Sequence, residues 1–314
     1  MLQILPENRV AILLSTYNGE RFLPAQLESL LAQTFEEWTL YWRDDDSSDA
    51  SIAIMEEFTR TAGQGRCVRV QLVDKRLHAP GSYLAMLGAV RDRLAHSDLI
   101  AFMDQDDVWL PEKLQRGVDA LRALGNAIPA MYCARQNLVD EDLNPIGMSQ
   151  PVLRSTRFPA ALTQNVTTGC TVLLNQRAVG LVAASHPPPA SVHDWWCYIV
   201  VTAAGGRLLT DDTATMLYRQ HGANMIGAHH TMKRRAVAAF RRGRQIYMTV
   251  LRQHVAALLA QPHLLNDAGR AKVEAIQRAL DGGILRRFAV LFTPGLRRQT
   301  WPEMAGFWAW FLAG

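Results

Sequence analysis

The chain has 314 residues, of which 49% are hydrophobic and 20% are charged, a composition typical of a globular protein with a sizeable core. No uncharged run reaches the roughly 18 residues that a membrane-spanning helix needs, and the apolar start lacks the basic flank and cleavage site of a signal peptide. Four scattered cysteines form no CxxC pair, which argues against a zinc site or a disulfide framework. We therefore expect four small buried thiols in a reducing, cytoplasmic protein.

The net charge of +4 is unevenly distributed along the chain. Residues 1–229 carry 19 Lys and Arg against 25 Asp and Glu, whereas residues 230–314 carry 14 against 4. The basic part mixes arginines with Phe and Trp, which suits either an anionic lipid surface or a helical face that packs on the first domain. Because no recognised nucleic-acid motif accompanies the charge, we expect no nucleic-acid partner. We predict a first domain at 1–229 and a helical region at 230–314.

The predicted elements alternate through the first hundred residues. Continuous apolar runs predict strands at 10–16, 38–43, 67–73 and 99–103. Apolar residues at helical spacing predict helices between them, at 21–34, 52–58 and 81–95. This order predicts an α/β fold with a mostly parallel sheet and flanking helices, in which ligands bind at the carboxyl ends of the strands.

The second half is less regular. A helix is predicted from Val108 onwards, with Asp106 or Asp107 as its N-cap. Strands are predicted near 130–139, 167–175 and 213–219, with a helix that begins at His193. After residue 230 only helical signals remain, with a break at Pro262 and a loose stretch at 293–295.

Acidic clusters follow two of the predicted strands. Asp104 and Asp106 lie in FMDQDDVW, and short carboxylates at this spacing suit Mg²⁺ or Mn²⁺. Asp106 or Asp107 suits a helix cap instead, and one carboxylate can cap while its neighbours bind metal. In RDDDSSD (43–49), a carboxylate suits the N3–H of a pyrimidine, and Arg43 suits charge compensation or a phosphate. Ser47, Ser48 and Asp49 suit helix capping equally well.

Two later stretches carry titratable groups. Asp194 follows His193 and precedes Trp195 and Trp196, aromatic residues that suit the wall of a sugar pocket, although Asp194 also suits an N-cap. The stretch YRQHG (218–222) offers Arg219 and His221 to phosphates or a metal. An isolated histidine is more often structural.

The order of six motifs, STYNG, RDDDSSD, DQDDVW, TTGCT, HDWW and YRQHG, resembles the family 2 glycosyltransferases of the GT-A fold. The resemblance covers residues 8–227 and is greatest to the bacterial rhamnosyltransferase-like branch that builds surface polysaccharides. It implies an inverting single displacement from a nucleoside-diphosphate sugar. The Gln-x-x-Arg-Trp motif and the membrane spans of the family's processive polymerases are missing from the sequence, so a single-transfer enzyme is expected.

The resemblance also implies residue roles. Asp194 matches the general base, and Asp104, Asp106 and His221 match a site for Mg²⁺ or Mn²⁺. Arg219 and His221 would assist the leaving diphosphate. The residues expected to bind the donor nucleotide are Ser15, Thr16, Tyr17, Asn18, Arg43, Asp44, Asp45, Asp104 and Gln105. Those expected on the acceptor and sugar side are Gly169, Cys170, His193, Trp195 and Trp196.

Asp46 stands where the family usually has Gly or Asn, and if the backbone there needs a positive φ, Asp tolerates it better than most residues but less well than Gly. The predicted donor is dTDP-L-rhamnose, and the predicted acceptor is a surface polysaccharide or a lipid-linked glycan. A UDP-hexose donor, a non-catalytic sugar-binding module and a sugar-nucleotide pyrophosphorylase are the alternatives. Peripheral contact with the inner face of the cytoplasmic membrane and a homodimer are left open.

Overall fold

The computed structural model describes residues 9–72, 76–95, 98–222 and 232–314, without the side chains of 232–242. The end of the predicted strand at 67–73 and most side chains of the basic stretch after residue 230 lie outside the described residues. Among the helices that the structure describes, none combines the length and the apolar character needed to cross a bilayer. All four cysteines are buried and carry free thiols, as predicted.

The first half of the chain forms the parallel part of the sheet. Its strands are β1 (Val10–Thr16), β2 (Trp38–Asp44), β3 (Cys67–Arg69) and β4 (Leu99–Met103), in the spatial order β3-β2-β1-β4. Helices α1 (Leu23–Leu31), α2 (Ser51–Arg60) and α3 (His78–Val90) connect them. The α/β prediction is confirmed here, although β3 is shorter than expected. The carboxyl ends of β1, β2 and β4 meet at one edge of the sheet.

The second half extends the sheet with mixed pairing. Its strands are β5 (Val108–Trp109), β6 (Ala130–Val139), β7 (Pro145–Met148), β8 (Leu173–Leu174) and β9 (Arg207–Arg219). β8 pairs antiparallel with β4 and β6, whereas β6 and β9 run parallel. Helices α4 (Lys113–Leu124), α5 (Ala160–Thr163), α6 (Gln176–Ala183) and α7 (His193–Ala203) lie between these strands.

The predicted helix start at Val108 is wrong. Val108 and Trp109 form β5, which pairs antiparallel with Leu217 and Met216 of β9. Helix α4 begins only at Lys113, so neither Asp106 nor Asp107 is its N-cap. The pairing partner lies about a hundred residues further along the chain, and a local pattern carries no information about it.

The sheet separates two apolar layers. Val10, Ile12 and Leu14 of β1 face one layer with α1, α2 and α4, and Ala11 and Leu13 face the other with α3, α6 and α7. Alternate residues of a strand point to opposite faces, so a strand covered on both faces is apolar throughout. This explains the uninterrupted apolar run of β1.

The C-terminal helices belong to the second of these layers. They are α8 (Met232–Leu259, kinked at Gly243), α9 (Asp267–Leu280), α10 (Ile284–Leu291) and α11 (Trp301–Ala313). Val255 of α8, Ile276 of α9 and Phe307 of α11 are buried in the same apolar cluster as α7. The region after residue 230 therefore packs on the sheet domain, which was one of its two predicted roles. The division at residue 229 stays a prediction.

His254 of α8 predicts a pH-dependent stability. Its imidazole is buried against the rings of Trp195 and Trp196, and its Nε2 lies 2.9 Å from Ser191 Oγ. Burial lowers the pKa of His254 from 6.5 to about 4. Between these two pH values the unfolded chain binds a proton that the folded chain does not, so stability is lost as the pH falls through this window. We expect a contribution of up to about 3 kcal/mol to the loss of unfolding free energy between pH 7 and pH 4.

Urea unfolding at several pH values between 7 and 4 measures this loss, with His254→Gln as the comparison. The variant keeps a polar group near Ser191 but does not titrate, and the acidic residues shared by both proteins cancel in the difference. Equal losses of stability in the two proteins would contradict the prediction.

Candidate active site

A cleft of about 810 Å³ opens at the carboxyl ends of β1, β2 and β4. The loops after these strands, the start of α3, residues 165–169, the start of α7 and the residues after β9 line it. This edge is where a parallel sheet places its ligands. The predicted site residues that line the cleft are Ser15, Tyr17, Asn18, Asp45, Asp104, Gln105, Asp106, Gly169, His193, Asp194 and His221.

The loops after β1 and β2 are hydrogen-bonded to each other. The N–H of Asn18 donates to Ser47 Oγ at 2.9 Å, and the N–H of Ser48 donates to Asn18 Oδ1 at 2.8 Å. The N–H of Gly19 donates to Ser51 Oγ at 2.7 Å. Such side-chain contacts to backbone groups hold a loop in one conformation. The serines of RDDDSSD therefore position STYNG, a role that differs from simple helix capping.

Gln105 joins the loop after β4 to the loop after β1. Its Oε1 accepts from the N–H of Tyr17 at 2.8 Å, and its Nε2 donates to the carbonyl of Tyr17 at 2.9 Å. A Cβ at Gly19 would lie 2.4 Å from Gln105 Oε1, so only glycine fits beside this amide. Both polar ends of Gln105 contact the backbone, which makes it a positioning residue for Tyr17.

Asp44 lies behind the wall of the cleft. Its carboxylate accepts hydrogen bonds from Thr16 Oγ1 at 2.9 Å and from the hydroxyl of Ser47 at 2.6 Å. Neither Thr16 nor Asp44 lines the cleft; both support the loop, and their contact with the nucleotide stays a prediction. The neighbouring Asp46 is exposed and has a φ of 77°, a left-handed conformation that Asp adopts more readily than most residues other than glycine.

Asp45 lines the cleft and is held ionised. Arg43 forms a buried ion pair with it, and its carboxylate accepts from the N–H groups of Leu77 and His78, both at 2.7 Å. Burial alone would raise the pKa of Asp45, but these hydrogen bonds and the charge of Arg43 lower it. Arg43 also donates to Ser82 Oγ and does not line the cleft, which corrects its predicted phosphate contact.

Tyr17 and Arg76 form one wall of the cleft. The guanidinium carbon of Arg76 lies 3.6 Å from the centroid of the Tyr17 ring, a cation–π contact. Arg76 places a positive charge beside a flat aromatic surface. The sequence motifs did not indicate Arg76, which precedes α3 in a stretch without a recognisable pattern.

Three acidic side chains follow β4, and two of them face the cleft. Tyr83 donates its hydroxyl to Asp104 at 2.8 Å, and Asp106 Oδ2 lies 2.7 Å from His221 Nε2. Burial and the negative charge of Asp106 raise the pKa of Asp104 to about 6. Both carboxylates line one edge of the cleft together with His221, and carboxylate oxygens are the ligands that a hard divalent cation prefers. Asp104, Asp106 and His221 could therefore hold Mg²⁺ or Mn²⁺.

The third carboxylate belongs to the buried side of this loop. Asp107 Oδ1 accepts from the N–H of Arg219 at 3.1 Å, and Arg219 Nε donates to the carbonyl of Asp106 at 2.8 Å. Arg219 also donates to the carbonyl of Glu141. Its guanidinium thus fixes the backbone around the acidic loop. Arg219 is buried and does not line the cleft, which corrects its predicted contact with the diphosphate.

Cys170 and Lys113 lie beneath the acidic loop. A carboxylate oxygen of Asp104, one of Asp107 and the Cys170 sulfur lie within 4.8 Å of one another. Burial raises the pKa of Cys170 well above its usual value, so this thiol stays protonated. Cys170 does not line the cleft, and its predicted place on the acceptor side is wrong. The ammonium of Lys113 is buried over the Trp109 ring, and its positive charge partly balances the carboxylates.

Asp194 lies in the first turn of α7 and lines the cleft. Asn165 Nδ2 donates to its Oδ2 at 3.1 Å, and the N–H of Trp195 donates to its Oδ1 at 2.8 Å. The N–H groups at the start of a helix also favour a negative charge at this position. The carboxylate is therefore held in one orientation at the wall of the cleft.

His193 and Gly169 lie beside Asp194. The His193 ring centroid is 4.5 Å from that of Tyr83, and burial lowers the pKa of His193, so it is neutral. Within the described part of the chain, neither ring nitrogen of His193 has a hydrogen-bond partner. A Cβ at Gly169 would lie 2.4 Å from its Nε2. Both ring nitrogens are buried, so His193 packs between Tyr83, Phe102 and Gly169 at this wall of the cleft.

The two tryptophans point away from the cleft. The indole N–H of Trp195 donates to the carbonyl of Ala161, and that of Trp196 donates to Ser185 Oγ, both at 2.7 Å. Successive residues of a helix are rotated by about 100°, so the two positions after Asp194 cannot share its face. Their predicted place in a sugar pocket is wrong, since they pack α7 against α5, α6 and His254 of α8.

Several residues of the cleft carried no signal in the sequence motifs. Tyr83 sits in an apolar helix, and Asn165 lies just ahead of TTGCT. The lining residues outside the motifs are Arg21, Phe22, Arg76, His78, Ala79, Pro80, Tyr83, Glu141, Asn165 and Val192, whereas Thr167, Thr168, Tyr218 and Gly222 lie inside TTGCT and YRQHG without a predicted role.

The comparison with protein families decides the assignment. Residues 11–176, more than half of the chain, match the model of glycosyl transferase family 2. The chain belongs to glycosyl transferase family 2. It is therefore a glycosyltransferase. Of the six motifs, STYNG, RDDDSSD, DQDDVW and TTGCT lie inside the matched residues, whereas HDWW and YRQHG lie beyond them.

Two curated relatives in the family carry specific names. The chain is 27% identical over 232 residues to the dTDP-rhamnosyl transferase RfbG of Shigella flexneri, which covers 70% of this chain and 75% of RfbG. It is 33% identical over 123 residues to the UDP-Glc:alpha-D-GlcNAc-diphosphoundecaprenol beta-1,3-glucosyltransferase WfgD of Escherichia coli. That second match covers 39% of this chain and 44% of WfgD.

A solved structure shows the same fold. S. aureus TarS 1–349 in complex with UDP-GlcNAc superposes with a TM-score of 0.57 at 15% identity, covering 95% of this chain and 80% of the other. At this identity the likeness concerns the fold alone. The predicted GT-A architecture with additional C-terminal helices is thereby confirmed.

Proposed function

We propose that this family 2 enzyme is an inverting, metal-dependent, non-processive glycosyltransferase that moves one sugar from a nucleoside diphosphate to an acceptor hydroxyl. The observation that carries the proposal is a single cleft that is lined by Tyr17, the acidic pair Asp104 and Asp106, and Asp194. Tyr17 suits the nucleobase, the acidic pair suits a cation bound to the diphosphate, and Asp194 suits the proton of the attacking hydroxyl.

The donor would lie across the strand ends. Its base would bind beside Tyr17, and its diphosphate would meet Arg76 and the acidic loop. Asp104, Asp106 and His221 would hold Mg²⁺ or Mn²⁺, which supplies Lewis-acid stabilisation of negative charge on the diphosphate. The carboxylate of Asp45 accepts hydrogen bonds from Arg43, Leu77 and His78, and a remaining lone pair would accept the N3–H of a pyrimidine base.

Asp194 would act as the general base. It takes the proton of the acceptor hydroxyl while the hydroxyl oxygen forms a bond to the anomeric carbon, and the bond from that carbon to the diphosphate breaks. The nucleoside diphosphate leaves, and the configuration at the anomeric carbon is inverted because only one displacement occurs. Asn165 orients Asp194, and the buried ring of His193 packs beside it and shapes the sugar and acceptor side of the cleft.

The names of the relatives support the choice of substrates. The name of RfbG supports dTDP-L-rhamnose as the donor, whereas the name of WfgD keeps a UDP-hexose as the alternative. The acceptor that WfgD's name describes is a sugar on a lipid diphosphate, which supports a lipid-linked glycan or surface polysaccharide here. A non-catalytic module is less well supported, because Asp104, Asp106 and Asp194 all line one cleft.

A donor screen tests the proposal. The enzyme is incubated with Mn²⁺ or Mg²⁺, a lipid-linked saccharide and each of dTDP-L-rhamnose, UDP-glucose and UDP-N-acetylglucosamine, and release of nucleoside diphosphate is measured. One donor is expected to give acceptor-dependent release and a product with an inverted anomeric bond. A retained configuration, or no nucleotide binding with any donor, would remove the proposal.

Arg76 provides a test of the nucleotide side of the cleft. Replacing Arg76 with Ala removes the positive charge beside Tyr17, and we expect nucleoside-diphosphate affinity to fall about tenfold. Calorimetric titration of dTDP and UDP measures the change, and Arg60→Ala in α2, an exposed arginine outside the cleft, is the control. Equal affinities in the two variants would place the nucleotide elsewhere.

A further inference from the structure

Helix α10 exposes an apolar face to solvent. Ile284, Leu285, Phe288 and Phe292 are 63%, 82%, 53% and 69% exposed, although all four are large hydrophobic residues. Their spacing places them along one side of the helix and its C-terminal end, and we call these four residues the α10 face. Clustered exposed apolar residues mark interaction surfaces more often than single ones do.

The orientation of α10 is fixed by contacts on its opposite side. Leu291 is buried, and Arg287 donates hydrogen bonds to the carbonyls of Ala279 and Leu280 at the end of α9 and of Leu312 in α11. Rotating the helix to bury the α10 face would break these contacts. The apolar side therefore points outwards as part of the packed structure.

The charge around the α10 face is positive. Helix α10 carries the exposed Arg286 and no acidic residue, and the exposed Arg297 follows shortly after the helix. On the neighbouring helix α11, Trp308 is 38% exposed. Apolar and aromatic side chains bordered by arginines are the combination that binds the interface of an anionic bilayer.

We propose that the α10 face docks on the surface of a membrane that contains anionic lipids. Its apolar side chains would enter the headgroup region while the nearby arginines contact lipid phosphates. A second copy of the chain fits less well, because a twofold contact through this face would bring the arginines of both copies together. The benefit of docking rests on the proposed function, because an enzyme docked on the bilayer meets lipid-linked acceptors there.

Co-sedimentation of the full chain with vesicles tests the docking. Vesicles of phosphatidylcholine alone are compared with vesicles that contain about 30% phosphatidylglycerol, and we expect at least about tenfold stronger binding to the anionic ones at low salt. The variant Leu285→Glu with Phe288→Glu should bind them about tenfold more weakly. Ile146→Glu replaces a 40% exposed residue of β7 and should bind like the wild type.

Three results would overturn the docking proposal. They are equal binding to both kinds of vesicle, unchanged binding in the double variant, and a dimer in light scattering that the double variant converts to monomer. Thermal stabilisation by nucleoside diphosphates is measured on the same proteins. A double variant that loses vesicle binding but keeps nucleotide binding supports the docking. A wild type that binds no nucleotide counts against the proposed transferase cleft and not against the docking.

Discussion

Replacing Asp194 with Asn is expected to lower sugar transfer by about a thousandfold or more while nucleotide binding is kept. Asp194 lines the cleft, and Asn165 Nδ2 and the N–H of Trp195 hold its two oxygens in place. An amide of the same shape can accept a hydrogen bond but cannot take a proton. Loss of the general base therefore removes the proton transfer that makes the acceptor oxygen nucleophilic. The loop around Tyr17, which would bind the nucleobase, is unchanged.

The measurement is the initial rate of acceptor-dependent nucleoside diphosphate release, with dTDP or UDP affinity measured in parallel. Asp119→Asn, an exposed residue of α4 outside the cleft, is the matched control and should transfer at the wild-type rate. Transfer by Asp194→Asn within a few fold of wild type would remove Asp194 from the role of base. A loss of nucleotide affinity in step with the rate would instead indicate damage to the fold.

Replacing Asp106 with Ala is expected to have the second large effect, a loss of metal-dependent nucleotide binding and of sugar transfer. Asp106 shares one edge of the cleft with Asp104 and His221, and its Oδ2 is 2.7 Å from His221 Nε2. If a divalent ion binds this set, removing one carboxylate should abolish the Mn²⁺-dependent thermal stabilisation by nucleoside diphosphate. Transfer should fall by about a hundredfold or more, since the charge of the diphosphate loses its counterion.

The melting temperature of Asp106→Ala without ligand distinguishes a binding defect from a folding defect. Asp104 and Asp106 repel each other, so Asp106→Ala should melt at the wild-type temperature or above it when no ligand is present. The matched control is Asp142→Ala, an exposed acidic residue in the turn after β6. An intact Mn²⁺-dependent shift in Asp106→Ala would indicate that any bound ion is held by other groups, such as the buried cluster of Asp104, Asp107 and Cys170.

The backbone of the site was more predictable than its side chains. Apolar runs and turn residues placed STYNG, RDDDSSD and DQDD at strand ends, because these signals are local. The start of α4 was misplaced because β5 depends on its pairing with β9. The side-chain orientations of Arg219 and Trp196 depend on hydrogen bonds to Glu141 and Ser185, which lie outside their own motifs.

Residues without a motif could not be found from the sequence at all. Arg76 and Lys113 look like ordinary surface cations in the chain, yet one stacks on Tyr17 and the other is buried beside the acidic loop. Their roles arise only when the crossovers bring separate strand ends together. The family resemblance supplied the assignment of Asp194, which could not be distinguished from a helix cap by its local sequence.

Gln105 makes the loop at Tyr17 and the acidic loop behave as one unit, because it holds the N–H and the carbonyl of Tyr17 with a single amide. A ligand that orders one of these loops reduces the conformational entropy that the other must still lose. Nucleotide and cation would then bind cooperatively, and each would raise the affinity for the other by the same factor, as thermodynamic reciprocity requires. In Gln105→Ala that shared factor would approach one, while each ligand could still bind by itself.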